Sequence, residues 1–363
     1  MKDIEGMTIE QARSRIPDRE LPAFWVGNYA RLRECLRNTK TDQNIVLTGS
    51  PGERSIRLLA YGHNNRLEQQ ANYNSALGAR DPKAYRDKAA REQPVLFLVG
   101  PVHGQETEGV TGLCNLIHIM ETGRDMRDRD QSELQALGRR CRLLIVPCAN
   151  PDGLTRFEPE SLCGMTRADV RFWGQGTKPD NTFWGWPGCK ARHPMRKEDY
   201  NFLGCYFDDD GVNPMHDEFF VPLGTEAPAL LRVAAMEAPD LTVSLHSHAA
   251  PPTVLRPAYA PREVQERVAA CAERFNALAE SRGFRHGGVP DVQLDEGACP
   301  KAFNLVCALH HASGAPSFTF ECPHGLTDEK SYHVALDQIL DIQLCLYEAM
   351  MREVCETRPD PGE

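Results

Sequence analysis

The stretch VLFLVGPVHGQETEG, from Val95 to Gly109, decides how the rest of the chain is read. Its first five residues, Val95 to Val99, form a short apolar, β-rich run, the pattern of a buried strand. Gly100 and Pro101 end that run. His103 and Glu106 follow on a tight turn that leads into a helical pattern. An imidazole nitrogen and a carboxylate oxygen presented from one rigid turn are two of the three protein ligands that a catalytic zinc takes. Their place just past a strand suits an α/β sheet, where ligands bind beyond the carboxyl ends of strands. H-x-x-E is common, and by itself the pair reads more readily as ordinary polar loop residues. The rest of the chain must supply a third ligand and a catalytic acid/base.

Working outward, Val110, Leu113, Cys114, Ile117 and Met120 recur at helical spacing, with Gly123 as the stop. Upstream, residues 44–62 hold two apolar runs around a Gly-Ser-Pro-Gly turn, a β-hairpin, and residues 63–94 are a polar loop with some surface helix. Residues 8–40 read as two helical pieces, the first capped by Thr8. Downstream, residues 142–147 (RLLIVP) are a second buried strand ending in the turn signal Cys148 to Gly153. Residues 154–224 show no long period and hold Trp173, Trp184 and Trp186. A loop region of that length is usually functional, and the tryptophans fit either a specificity pocket or a minor core. Thr225 then caps a helix to about Ala238. Residues 241–245 form a strand running into His246, and residues 264–278 a helix closed by Gly283. Residues 284–300 are loop, 302–311 helical, and 316–320 a strand leading to Glu321. A last helix spans about 331–355.

The chain has 363 residues, 41% hydrophobic and 25% charged, an ordinary globular composition. The net charge of −10 argues against nucleic-acid or anionic-membrane partners, which need a basic face. Thirteen cysteines are scattered without a C-x-x-C pair. With a polar N-terminus and no run as long as a membrane span, they point to free thiols in a reducing cytoplasm. The expected organisation is a helical lead-in over 1–44, one catalytic domain over 45–355 and a disordered tail over 356–363.

Three predicted strands thus end at polar groups useful to a metal: Val99 before His103, Leu245 before His246, and Phe320 before Glu321. In one parallel-type sheet these residues would meet at one edge. His103, Glu106 and His246 form a His₂Glu set that leaves a position open for water, and Glu321 is a candidate general base. Here the chain resembles the M14 zinc carboxypeptidase family. In order it carries H-x-x-E, N-P-D-G (Asn150 to Gly153), L-H-S (Leu245 to Ser247) and F-T-F-E (Phe318 to Glu321), with Gly325 four later. The resemblance runs from about Ile45 to about Tyr347. It implies one Zn²⁺ per chain on His103, Glu106 and His246, with Glu321 as general acid/base. It also implies a single-domain α/β fold, a mixed, mostly parallel eight-stranded sheet with helices on both faces.

The chain departs from the family where substrate is held. The family pattern G-V-D-x-N-R supplies an aspartate behind a zinc histidine and an Asn-Arg pair for the substrate's terminal carboxylate. The nearest match is Gly211-Val212-Asn213-Pro214-Met215-His216, with Asn213 at the aspartate position and Met215-His216 at the pair. A second family arginine falls near Arg167 or Arg171, and no tyrosine stands between Glu296 and Ser317. The expectation is that His216, helped by Arg167, Arg171 or Arg196, replaces the arginine fork, unless a loop arginine restores it. His248 reads as solvated or supporting, His310 and His311 as structural, and Asp208 to Asp210 as a solvated acidic loop rather than a calcium or basic-substrate site. The leading functional expectation is a zinc-dependent amide hydrolase of the carboxypeptidase type acting on a peptide or peptide-like small substrate. The alternatives are an aspartoacylase-like deacylase of N-acyl amino acids and a non-catalytic binding member of the fold.

Overall fold

The strand expected at Val95–Val99 forms, and its side chains alternate between two cores. Leu96 and Leu98 enter one, while Val95, Phe97 and Val99 enter the other. A strand apolar on both faces must be covered on both, which is why helices flank this sheet. The computed structural model describes residues 4–37, 39–41, 43–64, 67–291 and 301–356. Helices α1 (Ile9–Ser14) and α2 (Tyr29–Arg37) precede the hairpin of β1 (Asn44–Gly49) and β2 (Ser55–Tyr61). Then come α3 (Tyr73–Gly78), β3 (Val95–Val99), α4 (Thr107–Thr122), α5 (Ser132–Gly138) and β4 (Arg142–Val146). The long middle segment contains α6 (Pro151–Arg156), α7 (Arg167–Val170), β5 (Gly176–Thr177), β6 (Phe202–Leu203) and α8 (Glu226–Glu237). The rest is β7 (Leu241–His248), β8 (Thr253–Leu255), α9 (Arg262–Ser281), α10 (Leu305–Ser313), β9 (Ser317–Pro323) and α11 (Leu336–Glu356).

The main sheet has the order β1-β2-β4-β3-β7-β9-β8. Its centre, β4-β3-β7-β9, is parallel, and β1, β2 and β8 add antiparallel pairings. The mixed sheet with a parallel core is as expected, but it has seven strands rather than eight among the described residues. The remaining short strands, β5 and β6, pair with each other in a separate ribbon. On one face, α4, α9 and α11 pack Leu113, Phe275 and Leu340 against the sheet; on the other, α8 and α10 contribute Leu230 and Leu309. No described helix is long and apolar enough to cross a membrane. The described cysteines are all free, and all but Cys35 and Cys355 are buried.

Several local expectations change. β7 and β9 do not stop before the site residues but run through them, so His246 and Glu321 lie side by side in the sheet register. α11 begins at Leu336 rather than near Ser331. The preceding segment is tied elsewhere, with the Tyr332 amide donating to the Ala249 carbonyl at 2.7 Å. Thr225 precedes α8 but does not cap it; its hydroxyl donates to the Gly49 carbonyl at 2.8 Å and so ties α8 to the end of β1. Within the loop expected at 284–300, residues 292–300 lie outside the described residues, as do 357–363 of the expected tail.

The N-P-D-G stretch is more than a turn. Asn150 accepts from the Gly153 amide at 2.8 Å and starts α6, with Pro151 in the first turn, where its missing N–H costs nothing. Its side-chain amide donates to the Val102 carbonyl at 3.0 Å, just before His103. A Cβ on Gly104 would lie 2.0 Å from the Gly153 carbonyl carbon, and one on Gly153 would lie 2.3 Å from the Cys205 carbonyl oxygen. Only two glycines let the His103 turn seat this closely on α6. Asn150→Ala leaves a buried amide and a buried carbonyl unpaired, so the free energy of unfolding should fall by roughly 2–4 kcal/mol in urea denaturation. A change below about 0.5 kcal/mol would show that the turn is held by other contacts.

Candidate metal centre

β3 delivers the turn with His103 and Glu106, and β7 delivers His246 beside it. All three residues are buried. His103 Nδ1 lies 3.0 Å from Glu106 Oε1, His246 Nδ1 lies 3.2 Å from Glu106 Oε2, and the two Nδ1 atoms are 3.3 Å apart. Donors around a tetrahedral zinc with bonds of ~2.0–2.1 Å sit about 3.4 Å apart, so this triangle has the edge lengths of such a ligand set. Hydrogen bonding alone accounts poorly for it, because Glu106 Oε2 is buried without a hydrogen-bond partner. The donor chemistry and spacing fit a zinc ion, and this is the one group of three such side chains among the described residues that could hold a metal.

The surroundings orient each ligand. Ser244 Oγ lies 3.1 Å from His246 Nε2, which leaves Nδ1 facing the centre. Tyr206 stacks on the His103 ring with centroids 3.8 Å apart and planes 5° from parallel. His103 Nε2 is buried with no partner. Asn213, at the expected aspartate position, turns its side-chain oxygen to the Met215 amide at 3.0 Å instead. Behind the ligands, buried Glu108 accepts from Ser247 Oγ at 2.9 Å and pairs with His324 Nδ1 at 3.1 Å. One carboxylate on α4 thereby fastens β7 next to His246 and the end of β9 near Glu321.

The electrostatics follow from burial and proximity. Burial pushes the Glu106 carboxyl up, but the two imidazoles outweigh it and hold its pKa at about 2. Burial lowers the His103 pKa; at His246 the carboxylates of Glu106 and Glu321 overcome burial and raise it. Burial lifts Glu321 to about 7, with Glu106 adding to the rise and His246, His324 and Lys190 opposing it.

On the substrate side the structure revises the expectations. Burial and the neighbouring charges of Lys190, His103 and His246 push the pKa of His216 down to about 3. It is therefore neutral at neutral pH and cannot stand in for a charged arginine. Arg171 is exposed, and its guanidinium makes no hydrogen bond or ion pair with a described residue. Arg167 is exposed beside Asp328 and Lys330, on the His248 side. Arg196 is also exposed, its amide held by Asp199. His248 supports the neighbouring turn through the Pro251 carbonyl at 2.9 Å, and His310 is buried on the Ala315 carbonyl at 2.9 Å. Lys190, Tyr206, Glu108 and His324 went unread in the sequence. Glu108 and His324 follow the two motifs closely and could have been suspected; Lys190 and Tyr206 come from the aperiodic segment and carry no local signal.

The aspartates at 208–210 are not simply a solvated loop. Asp208 is fully buried and accepts from the Asp210 and Val212 amides. Asp209 pairs with Arg54 and Arg156. Asp208 Oδ2 and the nearby Glu226 Oε1 are buried without partners. Burial, with Asp152 and Asp210 adding to it, lifts Asp208 to about 7; burial and then the charge of Asp208 lift Glu226 to about 8.

Fold and donor set together define a mixed α/β protein with a His₂Glu group that could hold a metal ion. The zinc carboxypeptidase family, peptidase M14, matches residues 41–248, more than half of the chain, and the protein belongs to that family. Among solved structures, a metallo-carboxypeptidase from Burkholderia cenocepacia is 15% identical with a TM-score of 0.53, covering 90% of this chain and 68% of that one. The carboxypeptidase A from Helicoverpa armigera is 14% identical with a TM-score of 0.52, covering 96% of this chain and 80% of its own. Both are alike in fold. No curated protein matches the chain.

Two outcomes are expected. Purified protein reconstituted with zinc should bind about one equivalent, and His246→Ala should lose most of it, since a three-ligand site rarely survives on two. Undiminished zinc in that variant would remove His246 from the ligand set. The second concerns Glu226, whose pKa rises from 4.5 to about 8 on folding. A raised carboxyl favours the fold at low pH, and that contribution is lost as pH rises through the folded value. Glu226→Gln should therefore gain roughly 1–3 kcal/mol over wild type near pH 9 and much less near pH 5, measured by urea unfolding. Parallel pH profiles for the two proteins would mean that Glu226 is not held protonated.

Proposed function

We propose that the protein is a zinc-dependent amide hydrolase of the carboxypeptidase type, acting on a peptide or peptide-like substrate, with Glu321 as general acid/base. One observation carries the reading: Glu321 is the register neighbour of His246 across β7 and β9, which puts a carboxyl next to one of the three candidate ligands. Its raised pKa of about 7 is that of a group able both to take and to return a proton near neutrality. Held by His103, Glu106 and His246, a zinc ion would supply Lewis acidity to the scissile carbonyl and to water. Glu321 takes a proton from the attacking water at its carboxylate and delivers it to the leaving amine. His246 stays oriented through Ser244, and the stacked Tyr206 ring shields His103 from solvent.

Glu321→Gln keeps the shape and removes the base, so kcat should drop by at least ~100-fold while zinc stays bound. Turnover near the wild-type rate would require another base. In the wild type, kcat/KM should rise with pH through an apparent pKa at or below about 7, because Glu321 must be ionised and a bound cation lowers its pKa further. A panel of blocked dipeptides and N-acyl amino acids, with and without chelator, separates this reading from a deacylase and from a non-catalytic binder.

A further inference from the structure

The candidate metal ligands include no cysteine, yet two of the chain's thirteen cysteines meet at the other end of the sheet. The sulfurs of Cys141 and Cys355 stand 3.4 Å apart, although 214 positions separate them in sequence. Cys141 is fully buried, and Cys355 packs half-buried against the same core. The backbone around Cys141 is fixed on both sides. Its amide donates to the Gly138 carbonyl at 3.0 Å, at the end of α5. The next amide, that of Arg142, donates to the Pro94 carbonyl at 2.8 Å, where β4 begins. Cys355 lies in the last turn of α11. Polar ties of that turn are ion pairs of Arg274 with Glu353 at 3.3 Å and with Glu356 at 2.7 Å. Partly exposed pairs of this kind contribute little, so the end of α11 is the weaker partner of the two. The place is remote from the metal centre. Cys141 precedes the first residue of β4, which pairs in parallel with β3, and the metal turn follows the last residue of β3.

We propose that Cys141 and Cys355 form a reversible redox site, a dithiol that an organic disulfide such as oxidised glutathione converts into a bridge between the end of α11 and the start of β4. The proposal is independent of the hydrolase reading. A disulfide bond is about 2.05 Å long, so the two sulfurs have only about 1.3 Å to close. Contact with the Cys355 thiol, and then burial, push the Cys141 pKa up, which leaves the more accessible Cys355 as the first nucleophile. Cys355 loses its proton to solvent, and its thiolate attacks one sulfur of oxidised glutathione. A mixed disulfide forms and one glutathione thiolate leaves. Cys141 then loses its proton to solvent, its sulfur attacks Cys355 Sγ, and the second glutathione thiolate leaves. Both released thiolates take up protons from water. Two protein thiols are thereby oxidised and one glutathione disulfide is reduced to two thiols. The bridge closes a long loop, which removes freedom from the unfolded chain, and it ties the end of α11 to the sheet.

The test incubates the folded, full-length protein with excess oxidised glutathione near pH 8. The remaining thiols are then alkylated in denaturant and the digest is mapped by mass spectrometry without reduction. Wild type should lose two alkylatable thiols and yield one bridged peptide pair, carrying Cys141 and Cys355. Its Tm should rise by roughly 3–6 °C, the scale of a disulfide across a long loop in a chain of this size, and dithiothreitol should reverse the rise. Cys355→Ser should form no bridge and keep its Tm in the presence of oxidant. Cys141→Ser, where it folds, should instead retain one glutathione on Cys355, which marks the order of attack. The mapping of wild type decides the matter without either variant. No loss of thiols would overturn the proposal, as would a bridge between another pair, such as Cys35 and Cys114. So would a glutathione that stays on Cys355 in wild type, because Cys141 would then not resolve it. A bridge that forms on Cys141 and Cys355 but leaves Tm unchanged would overturn the tie between α11 and the sheet.

Discussion

The structure turns on one carboxylate, that of Glu106, held buried between two imidazole nitrogens. A buried charge costs several kcal/mol unless its partners are fixed around it. Flexible side chains cannot supply that fixity, so the backbone does. His103 and Glu106 sit on a single short turn, and His246 projects from the strand hydrogen-bonded to the one that ends in that turn. The hydrophobic cores on the two faces of the sheet hold these strands rigid, and the centre inherits that rigidity.

Around this centre the polar interior is arranged as supports rather than as isolated pairs. Glu108 reaches Ser247 and His324, so one side chain on α4 braces the two strands that carry His246 and Glu321. Asn150 and the glycine pair Gly104 and Gly153 seat the metal turn on α6 from the other side. Further out, Asp152 gathers Ser50, Gly52 and Arg54 and anchors the β1–β2 turn to α6. Asp208 and Glu226 lie at the same end of the molecule with incomplete partners. Asp208 also accepts from the Asp210 and Val212 amides and so holds the turn that leads to Asn213.

The metal side and the substrate side have diverged to different degrees. The three candidate metal ligands lie within the stretch matched by the zinc carboxypeptidase family to which the chain belongs, and they meet in space. The aspartate expected behind His103 is Asn213, committed to its own turn, and His103 Nε2 is left without an acceptor. Where the family pattern has its Asn-Arg pair, this chain has Met215 and a neutral His216. A metal ligand set tolerates little change because its geometry is dictated by the ion, whereas an anion can be held by any cation that reaches it.

What the sequence determined by itself was everything written in short-range pattern. The apolar run Val95–Val99 read as a buried strand, and the place of His103 just past it followed from where that run stops; His246 and Glu321, read as following their strands, lie within β7 and β9 instead. The helices with a clean apolar stripe, α4 and α9, were legible for the same reason. Tertiary structure decided whatever depends on two distant segments meeting. The register that sets His246 beside Glu321 comes from strand pairing, which no single strand encodes. The neutrality of His216, the burial of Asp208 and the approach of Tyr206 and Lys190 to the centre all arise in residues 154–224, where there is no periodicity to read. In that segment each side chain's surroundings are set by packing against the sheet's end, so its charge state and its role exist only once the chain has folded.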